Sequence, residues 1–284
     1  GIAELRQYTM TSAILTDEQR AEWEKNGFII WRKLFSDEEI AKIAVESKND
    51  TVSKHTYTRD DGQGGKAFLA LWNHADDSIL GRVARSSRIV DVIEEVLGDE
   101  AYHYHSKVSA KKAKQGGAWD WHQDYGYWYN NGCLFPNMAS CFIAVDPNTK
   151  ENGCLQVLSG SHKMGRISHG KTGEQAGADM ERVEQALKVL DHVYVVLEPG
   201  DALFFHCNVL HTSDANMSDK DRTSLICCYN TKSNNPYKKA HHPLYNKLHK
   251  VGKDAILSYN KKGMVEDECT FLDPKTDKSV EEQQ

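Results

Sequence analysis

The period of the hydrophobic pattern changes near Ala101, and this change constrains the fold more than any other feature of the sequence. From there on, apolar and polar residues alternate over short segments, as in half-buried β-strands, and Gly, Asn, Pro and Asp separate the segments. The segments cover residues 101–109, 118–128, 139–146, 154–158, 192–197, 201–206 and 223–230. Many short strands joined by turns are typical of a jelly roll or a barrel. We therefore predict a mainly β protein with flanking helices.

Helix signals dominate the chain before this change. Thr16 with Gln19 and Ser36 with Glu39 have the spacing of capping boxes, which satisfy free N–H groups at the start of a helix. The segment Phe28–Trp31 has the composition of a strand. The predicted helices cover about residues 17–25, 37–48 and 77–97. We expect them to brace the β-rich part.

We expect a single domain from residue 10 to residue 284, because no internal repeat or low-complexity linker divides the chain. The natural start is expected at Met10, with residues 1–9 outside the domain. The polar insertion at residues 168–190 has the length of a lid over a site. The predicted parts are a mostly helical support at 10–99, a jelly-roll core at 100–232 that includes this insertion, and a solvated basic extension at 233–284.

Composition and charge exclude several functional classes. Hydrophobic residues make up 39% of the chain and charged residues 27%, with a mean hydropathy of −0.62, which favours a soluble globular protein. No apolar run reaches the roughly 18 residues of a membrane helix. The net charge of −6 disfavours a general nucleic-acid binder, so a small-molecule substrate is the expected partner. The 7 cysteines contain no Cys-x-x-Cys pair, and we therefore expect a reducing, cytoplasmic location.

The aromatic segment 119–129 carries the strongest chemical signal. If it is extended, its side chains alternate, and His122, Asp124 and Trp128 share one face. An imidazole and a carboxylate two residues apart can then occupy adjacent positions around a metal ion. Two histidines and one carboxylate form the facial arrangement of iron(II) oxygenases. The candidates for the second histidine are His206 and His211.

Arg222 follows the second of these candidates by eleven residues. A dicarboxylate cosubstrate that chelates iron through its 2-oxo-acid end needs a cation at its far carboxylate, and a guanidinium group offers two parallel donors. Ser213 can add a hydroxyl to the same carboxylate. The alternative is that Arg222 forms an ordinary surface ion pair.

Taken together, these motifs resemble those of the phytanoyl-CoA dioxygenase family. The resemblance spans about residues 20–232. The blocks that carry it are Trp121–Asp124, Glu151–His162, Gly200–His206, His211–Ser213 and Arg222. It implies a double-stranded β-helix, or cupin-like jelly roll, that uses iron(II), 2-oxoglutarate and O2.

The family pattern also chooses between the two candidate histidines. The distal histidine of the family precedes a serine by two residues and an arginine by eleven, which His211 satisfies and His206 does not. Because related halogenases carry a small residue at the carboxylate position, Asp124 indicates an oxygenase. The metal ligands that the resemblance implies are His122, Asp124 and His211, and the implied 2-oxoglutarate anchors are Arg222 and Ser213.

A polar stripe precedes the metal motif in the sequence. Alternation places one set of side chains on the same face of this strand: His103, His105, Lys107, Ser109 and, if the strand continues, Lys111. A comparable strand in members of the family contacts substrate and 2-oxoglutarate. The resemblance therefore implies a substrate role for His105 and a 2-oxoglutarate role for Lys107 or Lys111. The alternative is an outward-facing edge strand.

Aromatic side chains near the metal motif indicate the class of substrate. Trp128 shares the ligand face, and Tyr125 turns toward the site if the strand bends at Gly126. Because aromatic faces bind cationic groups, this wall and the polar stripe favour a small polar or zwitterionic metabolite, such as an amino acid, a betaine or an amino-phosphonate. The expected reaction is hydroxylation of an unactivated C–H bond, with release of succinate and CO2.

Other reactions stay open at this point. The same chemistry supports oxidative ring closure or desaturation, and the basic C-terminal stretch could bind the phosphates of an acyl-CoA. A non-catalytic cupin-like binding protein would keep the fold without turnover. A hydrolase or isomerase that uses zinc or manganese would keep the fold with another metal.

Overall fold

The computed structural model describes residues 13–172, 174–260 and 263–275. The expected start at Met10 and residues 1–9 lie outside the described residues. The helices are α1 Asp17–Asn26, α2 Asp37–Ser47, α3 Asp50–Lys54, α4 Ile79–Ala84, α5 Ser87–Leu97, α6 Asp124–Trp128, α7 Met180–Val189 and α8 Glu266–Cys269. The strands are β1 Phe28–Trp31, β2 Tyr57–Asp60, β3 Lys66–Trp72, β4 Ala101–Lys111, β5 Trp119–His122, β6 Met138–Ala144, β7 Leu155–Leu158, β8 His169–Thr172, β9 Gln175–Ala178, β10 His192–Tyr194, β11 Ala202–His206, β12 His211–Ser213 and β13 Arg222–Thr231.

Two antiparallel sheets form the core of the fold. The major sheet has the strand order β1-β11-β6-β13-β4-β3-β2, and the minor sheet has the order β10-β7-β12-β5. Apolar side chains of both sheets, such as Phe142 and Ile226 from one and Leu155 and Val157 from the other, share one buried cluster. The predicted mainly β jelly roll with flanking helices is therefore confirmed.

The major sheet has a different apolar layer on each face. Along β13, Leu225 and Cys227 belong to a cluster with the N-terminal helices, whereas Ile226 and Cys228 belong to the cluster between the sheets. This alternation follows from the two-residue period of a strand. The helices thus cover the outer face of the major sheet and leave its inner face to the site.

The N-terminal region follows the helix signals at its start and departs from them later. Both capping boxes form, at Thr16 and at Ser36. The region is less helical than predicted, because β2 and β3 extend the major sheet at its edge. The single helix predicted over about residues 77–97 is two helices, α4 and α5. The break lies at Ser86, where the chain forms a parallel bridge to Val251 of the C-terminal segment.

The insertion at residues 168–190 is the hairpin β8–β9 followed by α7. Leu158 and Leu210 of the minor sheet region share an apolar cluster with Val183 and Ala186 of this helix. The hairpin reaches the N-terminal region as well, because the backbone N–H of Asp60 donates to the carboxylate of Glu174 at 2.9 Å. A lid function for this segment stays a prediction.

Over residues 233–260 and 263–275, the C-terminal segment packs onto the domain, so the prediction of a solvated extension is wrong for this part of it. Ile256, Met264 and Cys269 are buried in the same cluster as the N-terminal helices. The backbone N–H of Leu272 donates to the carbonyl of Leu71 at 2.9 Å, which ties the end of the segment to β3. The apolar residues of this segment follow no regular period, so the sequence shows only its basic residues clearly. Within the described ranges, none of the helices has both the length and the apolar character that crossing a bilayer requires.

Candidate metal and cosubstrate site

The pairing of β5 with β12 brings the two predicted histidine ligands together. His211 lies directly opposite His122 in the antiparallel register of these strands. Their ring centroids are 4.0 Å apart, and both side chains are buried. Two residues far apart in sequence are therefore placed side by side by sheet register alone.

Asp124 joins them through a different local structure from the one predicted. The extended segment predicted to run through residue 128 ends at His122, and Asp124 begins the short helix α6. Its Oδ1 atom lies 3.8 Å from Nε2 of His122 and 3.6 Å from Nε2 of His211. The predicted convergence of the three side chains is confirmed, although strict alternation along a strand is not its cause.

Gln123 holds the turn between the strand and this helix. Its amide group donates to the carbonyls of Gly165 and Asn208 at 2.7 and 2.9 Å and accepts from the N–H of Ile167 at 2.9 Å. Its backbone N–H donates to Nε2 of His169 at 2.9 Å. These bonds fix the backbone next to Asp124 and thereby position its carboxylate. The sequence did not predict this role of Gln123.

Gly126 allows helix α6 to pack against the imidazole of His169. A Cβ atom at this position would lie 2.4 Å from that ring, which is far inside van der Waals contact. The predicted bend at Gly126 is therefore replaced by a close contact between a helix and a side chain. A larger residue here would push away the ring that supports Gln123.

Backbone carbonyls set the tautomers of both histidines. Nδ1 of His122 lies 2.7 Å from the carbonyl of Asp120, and Nδ1 of His211 lies 2.9 Å from the carbonyl of Val209. Because a carbonyl only accepts, each Nδ1 carries the proton, and each Nε2 presents a lone pair toward the carboxylate. Burial lowers the pKa of both imidazoles, so the neutral, metal-binding form is the stable one.

The donor set fits a divalent metal ion. The ligand atoms of His122, Asp124 and His211 all lie within 4.8 Å of one another, and the gaps of 3.6 and 3.8 Å are too long for hydrogen bonds. Ser140 makes a weak contact of 3.5 Å with the second carboxylate oxygen. Two neutral imidazoles and one carboxylate on one side of a metal leave the opposite positions open. His206, the competing candidate, lies beside Trp23 and His162, outside this group.

Arg222 lies in the same cavity and has an unsatisfied donor. Its side chain is buried, with an exposed fraction of 3%, and it donates through Nη1 to the carbonyl of Gly153. Its Nε atom has no hydrogen-bond partner, and no carboxylate within the described residues forms an ion pair with it. Burial lowers the pKa of this guanidinium to about 10, so it stays charged at neutral pH. A buried, unpaired guanidinium fits a carboxylate ligand, and the surface ion-pair alternative is wrong.

The other predicted anchors divide into two groups. Ser213 and Lys107 line the cavity, and the ammonium group of Lys107 makes no hydrogen bond or ion pair within the described part of the chain. Lys111 does not line the cavity, because its ammonium group donates to the carbonyls of Ser213 and Asp214. Burial, together with the charge of Arg222, lowers the pKa of Lys111 well below its ordinary value. Of the two lysines, only Lys107 is placed to contact a cosubstrate.

A bulge in β4 divides the predicted polar stripe. The pairing with β13 shifts between Cys228 and Tyr229, which moves His103 to the opposite face from His105. His103 bonds the carbonyl of Asn73 and the hydroxyl of Ser106, at 3.1 and 2.7 Å. His105, Lys107 and Ser109 keep the predicted phase and line the cavity.

The cavity has a volume of about 150 Å³ and contains polar, charged and aromatic side chains. We use "metal side" for the predicted ligands with Lys107, Ser213 and Arg222, and "substrate side" for Tyr57, Arg59, His105, Trp128, Glu174, His241, His242 and Leu272. Trp128 lines the cavity as predicted. Tyr125 does not, contrary to prediction, because its hydroxyl donates to the carbonyl of Cys133 at 2.9 Å; Tyr127 of the same helix lines the cavity instead.

Comparison with known proteins finds a matching family and several similar proteins. The profile of the phytanoyl-CoA dioxygenase (PhyH) family matches residues 23–224. An ectoine dioxygenase of Bordetella bronchiseptica is 28% identical over 242 residues, which cover 78% of this chain and 77% of the relative. An L-proline trans-4-hydroxylase of Streptomyces griseoviridis is 31% identical over 191 residues, which cover 61% of this chain and 71% of the relative.

Solved structures share the fold. The crystal structure of EctD from S. alaskensis with bound Fe superposes with a TM-score of 0.72 at 23% identity, covering 86% of this chain and 89% of that one. The structure of the same protein with 2-oxoglutarate and 5-hydroxyectoine gives a TM-score of 0.66, also at 23% identity, and covers 90% and 91% of the two chains. The profile match, which extends over most of the chain, decides the classification: the chain belongs to the phytanoyl-CoA dioxygenase family.

Proposed function

We propose that the protein is an iron(II)- and 2-oxoglutarate-dependent dioxygenase that hydroxylates an unactivated C–H bond of a small polar or zwitterionic metabolite. One observation carries the proposal. The triad His122, Asp124 and His211 shares a cavity with Arg222, a buried cation that has no carboxylate partner in the described residues. A purely structural role does not explain why three buried side chains of metal-ligand type leave a gap between their donor atoms. It also does not explain an unpaired guanidinium group beside that gap.

Each residue of the metal side has a role in this proposal. His122, Asp124 and His211 would hold the iron, which when bound couples oxidative decarboxylation of 2-oxoglutarate to oxidation of the substrate. Arg222 binds the far carboxylate of the cosubstrate, and Ser213 and Lys107 donate to its carboxylate groups. Because the site is buried, these interactions act with little competition from water.

The substrate side favours a small zwitterion over an acyl-CoA. It combines the cation of Arg59 and the carboxylate of Glu174 with the aromatic side chain of Trp128, and Tyr127 lines the same cavity. Relatives of this chain act on ectoine and on L-proline, as their names state. The C-terminal segment packs back onto the domain, where its residues line the cavity, and so does not stand out as a separate basic surface for a nucleotide. We propose a cytoplasmic location, which the seven buried, unpaired cysteines support.

An anaerobic titration tests the proposal. Iron(II) followed by 2-oxoglutarate should produce the weak visible charge-transfer band of the chelate. Air should then yield succinate, at a rate that one or more small amines, amino acids, betaines or phosphonates increase. The absence of both the band and succinate would contradict the proposal. A band without substrate-stimulated succinate for any compound would favour a non-catalytic binding protein, and turnover with zinc or manganese alone would favour a hydrolase or isomerase.

A further inference from the structure

The C-terminal segment contributes part of the substrate side. His241, His242 and Leu272 line the cavity, although they lie beyond residue 224, where the family profile ends. His242 is buried, with an exposed fraction of 8%. The region of the cavity that these residues form therefore lies outside the range matched by the family profile, whereas the predicted metal ligands lie inside it.

Asn73 fixes the tautomer of His242. The Nδ2 group of Asn73 lies 2.7 Å from the carbonyl of His241, and because a carbonyl only accepts, this end of the amide must be the donor. The amide oxygen of Asn73 then faces Nδ1 of His242 at 2.9 Å, so Nδ1 carries the proton. The Nε2 atom of His242 is therefore a lone-pair acceptor, and it has no hydrogen-bond partner in the described part of the chain.

His105 and Tyr104 hold the ring of His242 in place. The rings of His242 and His105 are stacked, with centroids 4.3 Å apart and an interplanar angle of 13°. The ring of Tyr104 lies 4.7 Å from His242 on centroids. Burial lowers the pKa of both imidazoles well below the ordinary value, and the neighbouring histidines and the charge of Lys107 add to this effect. The imidazole pair is therefore neutral and adds no positive charge of its own to the cavity.

A protonated amine is the group that this surface accepts best. His242 and Glu174 line the same cavity as Trp128 and Tyr127. Hydrogen-bond acceptors and aromatic faces both favour a cation that carries N–H donors. A quaternary ammonium group, which has no N–H, would leave the His242 acceptor unsatisfied at a cost.

We infer that His242 accepts a hydrogen bond from a primary or secondary ammonium group of the substrate, and that the C-terminal segment thereby selects N–H-bearing amines over fully N-methylated ones. This inference rests on the proposed function and narrows its substrate class. His242 is a specificity-determining residue in this account, with no part in holding the metal.

Matched compounds test the inference. L-Proline and its N,N-dimethyl derivative, and glycine and its trimethyl derivative, are titrated calorimetrically into the anaerobic iron–2-oxoglutarate complex, and succinate formation is measured for each. The variants are His242→Phe, which keeps the aromatic stack but removes the acceptor, and His249→Phe, which changes an exposed histidine of the same segment. The wild type should bind an N–H compound at least about tenfold more tightly than its methylated partner. His242→Phe should lose this preference, and His249→Phe should keep it.

The outcomes separate the inference from the proposed function. A preference retained in His242→Phe, or no binding of either N–H compound while the visible chelate band forms normally, would overturn the inference and leave the proposed function intact. A missing chelate band would overturn the proposed function itself. If His242→Phe does not fold, ¹⁵N NMR of histidine-labelled wild type replaces it. An unprotonated Nε2 on His242 that shifts when L-proline is added supports the inference, and a protonated or unresponsive Nε2 overturns it.

Discussion

The metal side and the substrate side of the cavity are built in different ways. On the metal side, His122 and His211 lie opposite each other on paired strands, and Asp124 lies two residues after His122. On the substrate side, β2 at the sheet edge and the bulged strand β4 meet a C-terminal segment with little regular structure. Strand register defines positions tightly, whereas irregular chain can change without disturbing the sheets.

This difference separates reaction chemistry from selectivity. The residues proposed to hold iron and 2-oxoglutarate lie within residues 23–224, the region matched by the family profile. Part of the substrate side lies beyond that region, at residues 241, 242 and 272. Changes on the metal side should therefore lower turnover for every substrate alike, and changes on the substrate side should alter which substrate is accepted.

The largest effect is expected for Asp124→Ala. Changes in groups that only support metal ligands cost about 10–100-fold, so removal of a proposed ligand should lower succinate formation by more than about a hundredfold. The iron content after anaerobic loading should fall as well. Asp219→Asn, at an exposed carboxylate, is the matched control and should behave as wild type. An Asp124→Ala variant that retains a tenth of the activity would contradict the role of Asp124 as a metal ligand.

The next effect is expected for Arg222→Met. Loss of charge-assisted hydrogen bonds to a carboxylate should weaken 2-oxoglutarate binding by about 10–100-fold, while iron binding is unchanged. The measurement is an anaerobic titration of the visible band with 2-oxoglutarate. Arg59→Met is the control, because it removes the same charge from the cavity at the edge strand β2. Equal weakening of 2-oxoglutarate binding by Arg222→Met and Arg59→Met would contradict the separation of the metal side from the substrate side.

Two lysines of β4, Lys107 and Lys111, test which residues contact the cosubstrate and which only stabilise the fold. Lys107→Met should weaken 2-oxoglutarate binding about tenfold or less, because Lys107 lines the cavity and its ammonium group has no ion-pair partner in the described residues. Lys111→Met should instead lower the melting temperature, because it removes the donor to the carbonyls of Ser213 and Asp214. Thermal unfolding and cosubstrate titration of both variants separate these roles. The opposite pattern would make Lys111 the cosubstrate residue.

The smallest effect concerns His103, which the bulge in β4 turns away from the cavity. Burial lowers its pKa to about 3, so the folded state resists protonation. Its contribution to stability is complete above the unfolded pKa of about 6.5 and is lost as the pH falls toward 3, at roughly 1.4 kcal/mol per pH unit. His103→Gln should therefore reduce the loss of unfolding free energy between pH 7.5 and 5.5 by about 1 kcal/mol in urea titrations. Exposed His249→Gln is the control, and equal slopes for His103→Gln and wild type would contradict this account.

The sequence predicted those parts of the site that depend on motif spacing. The β-rich core and both capping boxes were predicted from residue type and order, whereas the choice of His211 for the triad and the anchoring role of Arg222 followed from the resemblance to the family. The turn at Gln123 was missed because a hydrogen-bonded break after His122 has the same residue pattern as a continuing strand. The bulge that separates His103 from His105 leaves no trace in the alternation, since it inserts one residue without changing composition.

The substrate side was beyond sequence reasoning for another reason. His242 approaches His105 through tertiary packing of a segment without periodicity. The basic composition of the segment indicated exposure to solvent, because its lysines are more conspicuous in the sequence than the few apolar residues that pack into the core. The one signal in the sequence is the pair of adjacent histidines, His241–His242, in a lysine-rich stretch.

The most direct test of the central claim is anomalous diffraction at the iron edge from crystals grown anaerobically with iron(II) and 2-oxoglutarate. We predict one peak, bound by Nε2 of His122, Nε2 of His211 and a carboxylate oxygen of Asp124, with the far carboxylate of 2-oxoglutarate on Arg222. A peak at His206 and His162, or no peak at the triad, would contradict the account.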